Sequence, residues 1–260
     1  MSIPIVMNTF GTRGPAQATY DALGRRLQAA FPGHSITWAY SSRIVRHLEE
    51  RGGKPRLPGP TEALSELAAQ GHRWAVIQST HMLCGHEFHR MLVEARQAPL
   101  RTSIGLPLLT DPRDFDCMAQ VLGDMAAQAE SEATVFVGHG TDHPTWIAYP
   151  LLQFLLNRIG AKRTYVGVLE GRPGVDEVLE AIIRSGVGKV RILPLLLVAG
   201  NHFHKDLTAK SPQSWQSRFE AAGLVVDVVG QGIGLLPQVA DLFCQHIREA
   251  LDVIPSNQEL

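Results

Sequence analysis

The chain is poor in the features that mark several protein classes. It has three cysteines in 260 residues, Cys84, Cys117 and Cys244, widely spaced and with no CxxC pair. Neither a disulfide framework nor a zinc finger is expected from such a set. Formal charge nearly cancels, with 24 Lys and Arg against 25 Asp and Glu, so nothing draws the chain to nucleic acid or to an anionic membrane. The most apolar run, Ile192 to Gly200, is too short to span a bilayer. The opening residues, Met1 to Met7, show no basic region followed by a long apolar one, which sets the expectation of a cytoplasmic protein. No glycine-rich dinucleotide turn, P-loop lysine or HExxH motif is present, which argues against a dehydrogenase, a nucleotide phosphate loop and a zinc hydrolase.

Hydrophobic residues make up 45% of the chain, enough to bury a core. Histidine is the informative count. There are 11, and seven of them fall in three short groups: His81, His86 and His89; His139 and His143; His202 and His204. Histidine is the commonest metal ligand and the ordinary base near neutral pH.

Short apolar runs alternate with segments of helical period. Strands are expected at Ile3–Met7, Ser35–Ala39, Trp74–Gln78, Arg101–Leu106, Thr134–Val137, Tyr165–Leu169, Val190–Leu193 and Val225–Val229, with helices between them and a last helix at Pro237–Leu251. This alternation implies an α/β fold with parallel sheets. An internal repeat divides it. Phe10-Gly11-Thr12 to Tyr20 aligns without gaps on His139-Gly140-Thr141 to Tyr149. Gly85-His86-Glu87-Phe88-His89 aligns on Gly200-Asn201-His202-Phe203-His204. Both matches follow strands and keep their order. Two similar α/β domains are therefore expected, residues 1–128 and 129–260, with an inter-domain cleft and a linker in the polar stretch near residues 128–134.

Ligands of open parallel sheets bind beyond the carboxyl ends of the strands, and the repeated motifs lie there. Gly138-His139-Gly140 holds a histidine between glycines that permit a tight turn and a close ligand. His202 follows the most apolar strand, and His204 reads as solvent-exposed. Glu170 ends another apolar strand before Gly171 and Pro173. Two histidines and one carboxylate suit a divalent Co, Fe, Ni or Zn ion and leave coordination positions open. Glu87, the repeat counterpart of His202, is the alternative carboxylate. Cys84 reads as a core residue.

The ordered set of motifs resembles the anaerobic cobalt chelatases, the long, two-domain class II chelatases. The matching segments are Asn8-Thr9-Phe10-Gly11-Thr12, Gln78-Ser79-Thr80-His81 with Gly85 and Glu87, Gly105 to Leu109, Gly138-His139-Gly140 with His143 and Tyr149, Leu169-Glu170, and Leu193-Pro194-Leu195 through Gly200 with His202. The chain departs from the family at Asn201, often Asp there, and Lys205, often Asn. The resemblance implies that His139 and His202 are the catalytic histidines and that Glu170 shares the metal with them. The implied reaction inserts Co2+ into sirohydrochlorin with loss of two protons, on the anaerobic route to cobalamin. The metal is then a substrate, and no permanently bound cofactor is expected. The alternatives are a sirohydrochlorin ferrochelatase using Fe2+ for sirohaem, and a carrier of metal or tetrapyrrole without catalysis.

Sirohydrochlorin is rich in carboxylates, so a donor-rich site is expected. Asn8, Thr9, Thr12, Arg13, His81, His86, Glu87 and His143 are the substrate-binding candidates, each with local turn or cap stabilisation as the competing role. Low aromatic content, 7%, weighs against a large apolar porphyrin lip. Membrane and nucleic-acid partners are not expected, and homo-oligomerisation is left open.

Overall fold

A computed structural model describes residues 2–11, 17–51, 56–129, 132–200 and 203–255, with the backbone alone at residues 48, 49, 203 and 204. Within them are two four-stranded, wholly parallel sheets. The first joins β1 (Ile5–Thr9), β2 (Ile36–Tyr40), β3 (Trp74–Ser79) and β4 (Arg101–Gly105) in the order β2-β1-β3-β4. The second joins β5 (Ala133–Gly140), β6 (Thr164–Glu170), β7 (Lys189–Leu195) and β8 (Val225–Val228) in the order β6-β5-β7-β8. The orders are the same once four is added to each strand, so the repeat in the sequence is a repeat of topology.

Helices cover the sheets, as parallel strands with crossovers require. In the first half they are α1 (Gln17–Ala30), α2 (Arg43–Arg51), α3 (Pro60–Ala69) and α4 (His86–Arg96). They are followed by α5 (Pro112–Ala127), α6 (Ala148–Arg158), α7 (Val175–Arg184), α8 (Trp215–Ala221) and α9 (Pro237–Asp252). The first core gathers Val6, Ala75 and Ile77 from the strands with Leu64, Leu67, Phe88 and Met91 from α3 and α4. The second gathers Val135, Val137, Val190 and Ile192 with Val178 and Ile182 of α7 and Trp215 and Phe219 of α8.

The division between the halves corrects the single cut near residue 128. One compact unit comprises residues 1–110 and 235–260, and the other residues 111–234. Helix α5 belongs to the second unit because it lies against α6. Gly123 approaches Ile159 so closely that a Cβ there would meet its Cδ1 at 2.9 Å, and Arg158 donates to Asp116 at 2.7 Å. Helix α9 belongs to the first unit. Its buried His246 binds the Leu106 carbonyl through Nδ1 at 3.0 Å, and Gln78 Nε2 donates to the same oxygen at 2.7 Å.

Two local departures have physical causes. The strand expected at Thr134–Val137 runs on to Gly140, because Gly140 still pairs with Glu170 in the ladder. The helix expected at Thr145–Ile159 begins as a 3-10 turn, Pro144–Ile147, and becomes α6 only at Ala148. Pro194 sits inside β7, where the β8 ladder has already ended at Ile192–Val228, so the missing N–H costs no pairing on that side.

Candidate active site

The carboxyl ends of β5 and β6 are built around two glycines. A Cβ at Gly138 would lie 2.4 Å from the ring of Tyr149, so only glycine lets that tyrosine pack beneath the strand end. Gly140 has φ of +85°, and a Cβ on it would lie 1.7 Å from the Glu170 carbonyl oxygen. That conformation and that contact both require glycine. The Gly140 N–H donates to the Tyr149 hydroxyl at 3.2 Å, and burial raises the tyrosine's pKa.

His139 stands between these glycines on the last turn of the ladder, half-buried. Its Nδ1 lies 3.2 Å from the Gly140 carbonyl. A carbonyl only accepts, so Nδ1 is the donor in this contact. Glu170 is exposed at the end of β6, directly across the ladder from Gly140. The loop behind it folds back, with Val168 N–H donating to the Pro173 carbonyl at 2.8 Å. The ladder thus brings His139 and Glu170 to neighbouring strand ends. Among the described residues no three His, Cys, Asp or Glu side chains gather as a metal group. His202 falls outside the described residues.

His143 takes the opposite tautomer. It caps the 3-10 turn, with Nδ1 accepting from the Thr145 N–H at 3.3 Å and lying 3.0 Å from the Thr145 hydroxyl. Its own N–H donates to Thr141 Oγ1 at 3.1 Å. Of the two roles read for His143, cap stabilisation is the one these contacts display.

The first unit carries the remaining candidates. Asn8 and Thr9 are buried in β1. Asn8 Nδ2 donates to Ser41 Oγ at 3.0 Å, while its carbonyl accepts from the Thr80 N–H and hydroxyl at 2.9 and 3.0 Å. Thr9 bonds the hydroxyl of buried Tyr20, and its carbonyl accepts from the Ser41 N–H at 2.8 Å. Both therefore use polar groups to tie the strand ends together. Thr12 and Arg13 lie outside the described residues.

His81, just beyond β3, is held by Ser79, a residue not singled out in the sequence although the Ser-x-His spacing was visible. Ser79 Oγ accepts from the His81 N–H at 3.3 Å and lies 2.9 Å from His81 Nδ1. Either ring tautomer satisfies this contact, which leaves Nε2 outside it. That atom is closed off from solvent and has no hydrogen-bond partner among the described residues, although the residue as a whole keeps some exposure. Burial lowers the His81 pKa to about 4, so the ring is neutral at physiological pH. Of the two remaining histidines of this group, His86 is exposed in the first turn of α4 and His89 Nδ1 donates to the Gly85 carbonyl at 2.9 Å. Glu87 pairs with Arg90 at 2.8 Å, and its Oε2 is buried with no hydrogen-bond partner among the described residues. Cys84, half-buried beside Thr110 at 3.5 Å, has its pKa raised by burial, which makes a weak nucleophile.

Comparison with known proteins decides what this arrangement belongs to. The family described as cobalt chelatase (CbiK) matches residues 4–252. The chain is a member of the CbiK cobalt chelatase family. It is similar to a sirohydrochlorin cobaltochelatase of Salmonella typhimurium, 32% identical, with 97% of this chain and 98% of that protein covered. It is also similar to the sirohydrochlorin cobaltochelatase CbiKC of Nitratidesulfovibrio vulgaris, 29% identical over 96% of this chain and 91% of that one. Among solved structures it resembles SirB from Bacillus subtilis with Fe3+, with a TM-score of 0.66 at 17% identity and 96% of each chain covered. That likeness is one of fold. The paired parallel sheets are the class II chelatase architecture, and the CbiK match spans both of them.

Proposed function

We propose that this chain is a sirohydrochlorin cobaltochelatase, inserting Co2+ into sirohydrochlorin with release of two protons. The family and the full-length relatives support the reaction class. One observation carries the site: the Gly140–Glu170 ladder pair, which sets a histidine and a carboxylate at adjacent strand ends. His202, with His139 and Glu170, completes the two-histidine, one-carboxylate set.

Insertion needs a metal held with exchangeable positions, two pyrrole protons removed, and nitrogen lone pairs turned toward the ion. Neutral imidazoles and a carboxylate bind cobalt(II) without filling its coordination sphere. As macrocycle nitrogens replace protein ligands, a released imidazole can take up a pyrrole proton. The metal enters and leaves as substrate, so the reaction needs no resident cofactor. His86, at the exposed start of α4, is a donor suited to a rim carboxylate. The reading places the protein in the cytoplasm; among the described residues no helix is long and apolar enough to cross a membrane.

The test is the number of turnovers. Under anaerobic conditions, enzyme at one-hundredth of the concentration of sirohydrochlorin and cobalt(II) converts the whole pool, followed by absorbance. Conversion that stops at one macrocycle per chain identifies a carrier and overturns the reading.

A further inference from the structure

The two halves share a glycine and a tyrosine at their first strand ends, and differ at the exposed residue just before the glycine. Gly11 and Gly140 both have positive φ, +102° and +85°. Each is bonded by the hydroxyl of a buried tyrosine on the following helix, Tyr20 and Tyr149. The helices keep step beyond that point: Leu23 and Leu27 of α1 correspond to Leu152 and Leu156 of α6, and all four are buried. On this shared frame the residue before the glycine is His139 in the second unit and Phe10 in the first.

Phe10 is 47% exposed, yet its backbone is pinned. Its carbonyl accepts from the Ser42 N–H at 3.2 Å, and the preceding Thr9 carbonyl takes the Ser41 N–H at 2.8 Å and the Ser41 hydroxyl at 3.2 Å. A single exposed apolar side chain ordinarily calls for no explanation. This one occupies the position of the proposed metal-presenting histidine, at the carboxyl end of a parallel strand where ligands of such sheets bind. Its ring can neither hold a metal nor take a proton, but it offers an aromatic face on a rigid corner.

We propose that Phe10 is a macrocycle-binding residue, the first unit using the strand-end position to seat an apolar tetrapyrrole face. The proposal rests on the sirohydrochlorin reading above. A tetrapyrrole carries its carboxylates at the rim and leaves its ring faces apolar, and aromatic side chains pack on such faces in offset or edge-on geometry.

The experiment titrates metal-free sirohydrochlorin into the full chain, read by absorbance, for wild type, Phe10→Ala, Phe10→Tyr and Ile183→Ala. Ile183, 55% exposed on α7, controls for loss of any exposed apolar side chain. Phe10→Ala is expected to bind on the order of tenfold more weakly, Phe10→Tyr within about twofold of wild type because it keeps the aromatic face, and Ile183→Ala like wild type. In turnover, the Phe10→Ala KM for sirohydrochlorin rises while that for cobalt(II) does not. Thermal unfolding of each variant verifies folding. Binding by Phe10→Ala equal to wild type, in a preparation whose wild type binds and turns over, overturns the Phe10 assignment and leaves the chelatase reading standing. A wild type that neither binds nor metallates sirohydrochlorin overturns that reading, and the Phe10 assignment with it.

Discussion

Replacing Gly140 with alanine tests the link between the glycine corner and the candidate metal site. A Cβ would begin 1.7 Å from the Glu170 carbonyl oxygen, and real Cβ atoms do not approach closer than 3.0 Å. One strand end must therefore retreat by about 1.3 Å, because the Glu170 carbonyl is backbone and cannot swing aside like a side chain. Holding alanine at φ of +85° costs about 1–2 kcal/mol, and the disturbed ladder and tyrosine bonds add about 1 kcal/mol each. A loss near 3 kcal/mol corresponds to roughly 10 °C in the melting temperature of a unit this size. A displacement above 1 Å between His139 and Glu170 lowers turnover on the order of 100-fold. Gly11→Ala is the matched control. Its Cβ meets only side-chain atoms, Val45 Cγ1 at 3.1 Å and Tyr40 Cδ1 at 3.3 Å, so it carries about 1–2 kcal/mol of conformational strain and no backbone clash. Calorimetry and anaerobic kinetics on the two variants give the comparison. Gly140→Ala with wild-type melting and wild-type turnover would refute the reasoning.

Two further outcomes follow from the first unit. Because the His81 pKa is lowered from 6.5 to about 4 in the folded state, the unfolded chain binds more protons between those values. Its contribution, at most about 3 kcal/mol, is complete above pH 6.5 and lost as pH falls toward 4. His81→Asn should flatten the pH dependence of urea midpoints across that window, and parallel profiles for variant and wild type would count against a buried neutral ring. His246→Leu removes the bond from α9 to the Leu106 carbonyl while Gln78 still serves that oxygen, so a loss of about 1 kcal/mol is expected in denaturant unfolding. A loss above roughly 3 kcal/mol would mean that His246 contributes more than this one bond.

Much of the fold was legible because parallel α/β chains write their strands as short apolar runs between helical periods. The eight strands and the repeat were both visible in this way, and the shared order of the two sheets confirms the repeat. The unit boundary was not legible. Which sheet a helix covers depends on contacts such as Gly123 against Ile159 and His246 on Leu106, which local sequence does not encode. At the site, the flanking glycines revealed the His139 corner, but not that Gly140 extends the ladder to Glu170. Asn8 and Thr9 looked like ligand donors by residue type, and their burial against Ser41 and Tyr20 is a tertiary fact. His143 showed the reverse: its position before Pro144 already fitted a cap, and the structure displays one.

The most direct test of the central claim is anaerobic, multiple-turnover conversion of sirohydrochlorin by cobalt(II), comparing wild type with His139→Ala. His139 is half-buried at a strand end, so the variant should melt within a few degrees of wild type. The account predicts rapid turnover by wild type and its loss, by at least about 100-fold, in a folded His139→Ala protein. Undiminished turnover by that variant would contradict the account.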